Sequence, residues 1–219
     1  MRPHTAVRAA VTTAILLLAA PAGVAHADEP PACAAENLAW LDAEDQAAAQ
    51  SEELDAAKAA LADAQRDADT LTRVTNTLGT LVEAFRTPRT YDLFKLTLAD
   101  LSRLYKPHSD ARLAASQRNA AGVADAVQQG ADVAQRLYDA VPSNISGSVQ
   151  GSHVKYFIDN TKKAVAEARD AVLAAEVPAR TDAVNQAQED LTLAIDAVTP
   201  ARAAYKTCLQ NTVTPPPST

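Results

Sequence analysis

Aromatic residues are scarce in this chain, at 4% of 219 positions, and so are cysteine (two), histidine (four), glycine (six) and tryptophan (one). With so few aromatic residues, a sheet core has little to pack. Too few His and Cys remain for most zinc or thiol chemistry. Positive charge is short as well: beyond residue 27 there are 18 Lys and Arg against 27 Asp and Glu, a formal charge of −9. Nucleic acid and anionic lipid surfaces both call for net positive charge, so neither is an expected partner. What the chain has in quantity is alanine, 50 of the 219 residues, and it reads as all-α.

Residues 1–27 read as a signal peptide. Arg2 and Arg8 precede the apolar run 9–20, and Ala25-His26-Ala27 supplies a small-x-small exit before Asp28. The run falls well short of the ~20 residues needed to span a bilayer. No cysteine follows it closely enough to suggest a lipid anchor, and the expected product is secreted and extracellular. At the other end, residues 211–219 include Pro215-Pro216-Pro217 and are expected to form a disordered tail.

Between these ends the periodicity is helical. No proline occurs from Cys33 to Arg86, and Leu54, Leu61, Ala68, Thr75 and Val82 recur every seven residues, with Ala57, Ala64, Leu71, Leu78 and Phe85 in the intervening register. That is an a/d seam sustained over more than four heptads. Residues 28–86 are therefore assigned to one long helix of stalk and head, about 80 Å over its helical part. Residues 87–154 are assigned to the head. There Thr87-Pro88-Arg89 stops the first helix, Thr90 caps a second over 91–106, and Pro107 ends it. A third starts at Ser109 or Asp110 and runs to about Val141, and Pro142 to Gly151 forms a Ser/Gly loop. Residues 155–210 form the last helix, interrupted at Pro178 and Pro200.

Each of those prolines marks either a reversal or a kink. The cysteines decide between the two. In an exported protein Cys33 and Cys208 should pair, which brings their Cα atoms within about 7 Å. Four antiparallel passes close that path, whereas a reversal at Pro178 makes five and sends Cys208 to the wrong end. The expected architecture is an elongated antiparallel coiled-coil stalk of the first and last helices, joined to an up-down-up-down four-helix head and tied by one disulfide. Setting Cys33 opposite Cys208 pairs residues whose numbers add to 241, so Leu54 faces Ala187, Ala57 faces Val184 and Phe85 faces Tyr156. All three Phe and four of five Tyr fall between Phe85 and Phe157, which places the thicker core there.

Few residues suggest chemistry. His108-Ser109-Asp110 holds the residue types of a hydrolase triad, but sequence neighbours cannot form the relay, and the trio reads as a helix cap. His153, with Tyr156 and Phe157, could line a pocket but reads as packing. The acidic positions Glu52, Glu53, Asp55, Asp63, Asp67 and Asp69 lack the glycine and spacing of a calcium loop and read as a solvated face. Asp159 is expected to pair with Lys162 and Lys163. Asn144-Ile145-Ser146 matches a glycosylation acceptor pattern. No catalytic residue, metal ligand or cofactor is assigned, and the chain is not expected to be an enzyme.

The leading expectation is a secreted coiled-coil protein acting as a structural spacer or interaction module. It would offer Ser143, Asn144, Ile145, Ser146 and Ser148 to an extracellular protein partner. A second reading is a membrane-active helical protein using residues 91–105, whose apolar face is Leu93, Phe94, Leu98, Leu101 and Leu104; core packing is the preferred role for that face. A third is a carrier of an apolar ligand inside the head. Self-association through the stalk is left open.

Overall fold

The computed structural model describes residues 31–213, and within them every regular element is helical. The segment read as a signal peptide and the triple proline lie outside the described residues. A 3-10 turn at Pro31–Cys33 leads into α1 (Ala34–Arg86), followed by α2 (Pro88–Phe94), α3 (Leu98–Ser116), α4 (Ala120–Asp139), α5 (Ser143–Ser146) and α6 (Val149–Asp170). A second 3-10 turn, Val172–Glu176, precedes α7 (Val177–Val213).

The expected seam forms. Leu54, Ala64, Leu71, Thr75, Leu78, Val82 and Phe85 are buried, and Ala57, Leu61 and Ala68 are half-buried. Residues at 3.5-residue spacing stay on one side of α1, and that side faces the returning chain. Cys33 and Cys208 are bonded, with Cα atoms 5.8 Å apart. From this tie the antiparallel register runs the length of the molecule. Arg202 lies over the Trp40 ring at 5.6 Å, the Leu173 amide donates to Asp67 at 3.0 Å, Arg73 meets Glu167 at 2.7 Å, and Gln150 donates to Thr90 at 2.6 Å. At each of these rungs the residue numbers add to between 240 and 242, as the sequence register requires.

One expected pair does not form. Phe85 turns into the core and meets Phe94 edge-on at 5.9 Å, while Tyr156 is 60% exposed and packs on Phe157 instead. Trp40 and Tyr205, the two aromatics outside the head, stack at 5.7 Å beside the disulfide. An aromatic pair there adds roughly 1 kcal/mol to a region where alanine buries little area.

Above Asp67 the two-helix stalk widens into four. Tyr105 packs under Arg86, and Ala114 lies within reach of Gly122, so α3 runs against both α1 and α4. Lys162 on α6 donates to Gln135 on α4 at 2.8 Å. Leu78 on α1 meets Gly130 on α4 across the diagonal, where a Cβ on Gly130 would stand 2.5 Å from Leu78 Cδ1. This is the up-down-up-down head, with Phe85, Leu104, Val127, Val154 and Ile158 in its buried core.

The head's internal boundaries differ from those the sequence suggests. Thr87, not Thr90, caps α2; Thr90 is buried and shared by Thr87 and Gln150. Residues 91–106 do not form one helix. Lys95 adopts φ 51°, and Thr97 and Asp100 form a reciprocal capping box that starts α3 at Leu98. Pro107 does not end a helix but sits buried within α3, which continues through it without the bond to the Arg103 carbonyl. His108, Ser109 and Asp110 are therefore mid-helix, and Asp110 pairs with Lys106 at 2.8 Å. The second reversal falls at Gln117-Arg118-Asn119, with Arg118 at φ 53° and Asn119 capping α4.

The return strand of the stalk breaks at Ala171, and Pro178 occupies the first turn of α7, where a missing N–H costs little. Pro200 lies inside α7, which continues past Cys208 to Val213. Direction is kept throughout, so both prolines sit in a path that bends without reversing.

Charge follows the architecture. Residues 31–69 and 171–213 together hold 15 Asp and Glu against five Lys and Arg, while residues 70–170 hold 10 against 13. The stalk is acidic and the head is slightly basic.

Replacing Cys33 and Cys208 by Ser should lower stability by up to about 5 kcal/mol, the chain-entropy value for a closure spanning 175 residues. Hydrogen exchange should accelerate first in residues 34–60 and 180–213, while amides around Leu78, Val127 and Ile158 stay protected. Equal loss of protection in stalk and head would show that the two are not separable in this way.

Candidate functional site

The sequence-assigned positions are scattered over the head. Ser143 and Asn144 are exposed, but Ile145 packs against the core, Tyr138 donates to the Ser146 carbonyl at 2.9 Å, and Ser148 caps α6 through the Gly151 amide at 3.1 Å. What composition marks as a loop is thus a packed corner containing α5. Gly151 makes this corner feasible: a Cβ there would lie 2.3 Å from the Ser146 carbonyl oxygen, a backbone atom with no room to retreat. Along 91–105 the apolar residues do not share one face, because the chain breaks at Lys95. Phe94 and Leu104 enter the core, Leu93 and Leu101 border it, and Leu98 is 80% exposed.

His153 is exposed, with its ring 4.9 Å from the half-buried Phe157. Asp159 pairs with Lys155 rather than with Lys162 or Lys163, since the i−4 lysine is the neighbour its rotamer reaches. Asp67 is more than part of a solvated face: it accepts the Leu173 amide and so fastens α1 to the bend in the return strand. Among the described residues, no group of three or more His, Cys, Asp or Glu is arranged to hold a metal ion.

Unlike polar groups converge in a groove between α1 and α3. Its upper part, about 700 Å³, is lined by Glu83 and Arg86 from α1 and by Tyr105, His108, Ser109, Arg112, Leu113 and Ser116 from α3. It continues past Arg112 and Ser116 into a lower part of about 340 Å³ bordered by Thr72, Thr75 and Asn76. Gly79 sets its depth. The His108 ring lies against that glycine, where a Cβ would stand 2.9 Å from Nε2. Neither residue marks itself in the sequence: Gly79 interrupts no periodicity, and His108 gains meaning only once Pro107 is known to lie within a helix.

Electrostatics divide the groove. Arg86 donates to Glu83 at 2.9 Å and lies 5.7 Å from the Tyr105 ring centroid; the Glu83 hydrogen bond strengthens its hold on its proton. Burial, together with the nearby Arg112 charge, holds the His108 imidazole below its ordinary value, with Glu83 opposing more weakly. Arg112 has no carboxylate within 4 Å among the described residues.

No protein-family model, curated protein sequence or solved structure matches this chain.

Three outcomes follow from this geometry. Because His108 binds its proton less readily when folded, the unfolded chain holds more protons just below pH 6.5, so stability should fall as pH drops through that range. His108→Gln should flatten the dependence in urea melts recorded between pH 7 and 5. Gly79→Ala should push the ring outward and move its NMR titration midpoint up toward that of an exposed histidine; an unchanged midpoint would mean that the glycine is not its seat. At the α5 corner, Gly151→Ala should cost about 1–3 kcal/mol despite the gain in helix propensity.

Proposed function

We propose that this chain is an exported, non-enzymatic spacer and interaction module: a shaft of two helices holds a four-helix head away from its tied base, and the head meets an extracellular protein partner. The observation that carries this reading is the combination of a Cys33–Cys208 bond with one register maintained from that bond to Gln150 and Thr90. A shaft only two helices thick encloses little core, so its length is poorly explained by stability alone. It is well explained if distance is what the shaft supplies. A disulfide between chain ends fits an oxidising compartment, and the start of the sequence reads as an export signal removed before Asp28.

The head surface offered to a partner includes Ser143 and Asn144 at the α5 corner. Ile145, Ser146 and Ser148 support that corner from beneath. The membrane reading gains no specific observation in its favour, and no described helix is long and apolar enough to cross a bilayer.

The test is a matched deletion. Removing 44–57 from α1 and 184–197 from α7 takes two heptads from each helix at the same height and shortens the shaft by about 21 Å. The intact protein should scatter X-rays with a radius of gyration above about 23 Å, against roughly 16 Å for a compact chain of this size. The shortened protein should keep the head fold and partner capture on the cell exterior yet fail in whatever the intact protein accomplishes there. Undiminished activity in the shortened protein would remove the spacer role, and capture that survives scrambling of 143–148 would move the contact elsewhere on the head.

A further inference from the structure

We propose that the α1–α3 groove binds a small amphiphilic organic acid, with its carboxylate on the Arg112 guanidinium and its carbon chain against the Leu113 and Tyr105 side chains of the same groove. Two independent features converge on this assignment. Arg112 stands where the upper and lower parts of the groove meet, and its guanidinium lacks a carboxylate among the described residues. A guanidinium presents two parallel N–H donors that match a carboxylate, a stronger bond than a neutral pair gives. Beside this group Leu113 is 59% and Tyr105 37% exposed, so apolar surface lies within the same groove as the charge.

Charge selects the class of ligand. Arg86 is engaged by Glu83, and His108 is neutral near pH 7, which leaves one free positive charge. A singly charged carboxylate balances it. Along α3 the rise from Arg112 to Tyr105 is about 10 Å, and a linear acid of roughly eight carbons spans the same distance. Glu83 sits at the far end from Thr75, where it faces the tail rather than the head group. The charged and titratable groups facing His108 are Glu83 and Arg86 from α1 and Tyr105 and Arg112 from its own helix.

The experiment follows the His108 ring by NMR in the full-length, disulfide-bonded protein during titration with octanoate, octanol, inorganic phosphate, and a capped peptide presenting one glutamate. Octanoate should move the resonance saturably and raise the His108 titration midpoint, because a bound anion offsets the Arg112 charge. Octanol, phosphate and the peptide should each bind at least about tenfold more weakly. Arg112→Gln should weaken octanoate about tenfold or more, as expected for loss of a charge-assisted bond, and Arg112→Lys should recover part of that loss. Leu113→Ser, at an exposed position, should erase the advantage of octanoate over acetate. The proposal is overturned if octanoate leaves His108 unmoved or acts equally on a folded Arg112→Gln protein. Equal binding of phosphate would make this a general anion site, and tighter binding of the peptide would assign it to a protein side chain.

Discussion

Cys33 and Cys208 are 175 residues apart in sequence and 5.8 Å apart in space, and the organisation of the molecule depends on that closure. A bond between the chain's ends requires an even number of passes, and helices of this length allow four. It also sets a zero point for the register. Two alanine-rich helices can slide past one another at small cost, because one methyl replaces another at each step. The covalent tie removes that freedom at the base, and the hydrogen bonds at Asp67 and Thr90 remove it near the middle and the top.

The division into stalk and head then follows from side-chain volume. Where the seam is alanine, two helices approach closely and no third is needed to cover them. Where Phe85, Phe94, Leu104 and Ile158 enter, the apolar surface is too large for one seam, and two more passes are recruited to cover it. Asp67 stands at the transition and bonds the backbone at the point where the return strand changes from α6 through a 3-10 turn to α7.

The long repeats were legible in the sequence because each heptad repeats the same message, so errors at single positions average out. The interruptions were not. Lys95 and Arg118 take left-handed backbone without being glycine, at roughly 1–2 kcal/mol each, and nothing in their identity announces it. Yet signals existed beside them: Thr97 and Asp100 stand at capping-box spacing, and Asn119 is a strong N-cap residue. Pro107 misled for the opposite reason, since a proline buried in a helix can be stabilised by packing that sequence does not display. The groove was illegible for a related reason. Its parts come from Gly79 on one helix and from His108 and Arg112 on another, and only the true position of the second reversal sets them side by side.

Segregated charge gives the rod electrical polarity. With the acidic shaft and the mildly basic head separated by tens of ångströms, far beyond the roughly 8 Å over which salt lets charges sense each other under physiological conditions, the two ends respond to their surroundings independently. Near any negatively charged surface the acidic shaft is repelled and the head is drawn toward it. The molecule would then arrive at such a surface pre-aligned, and the encounter would begin as a search over position more than over angle.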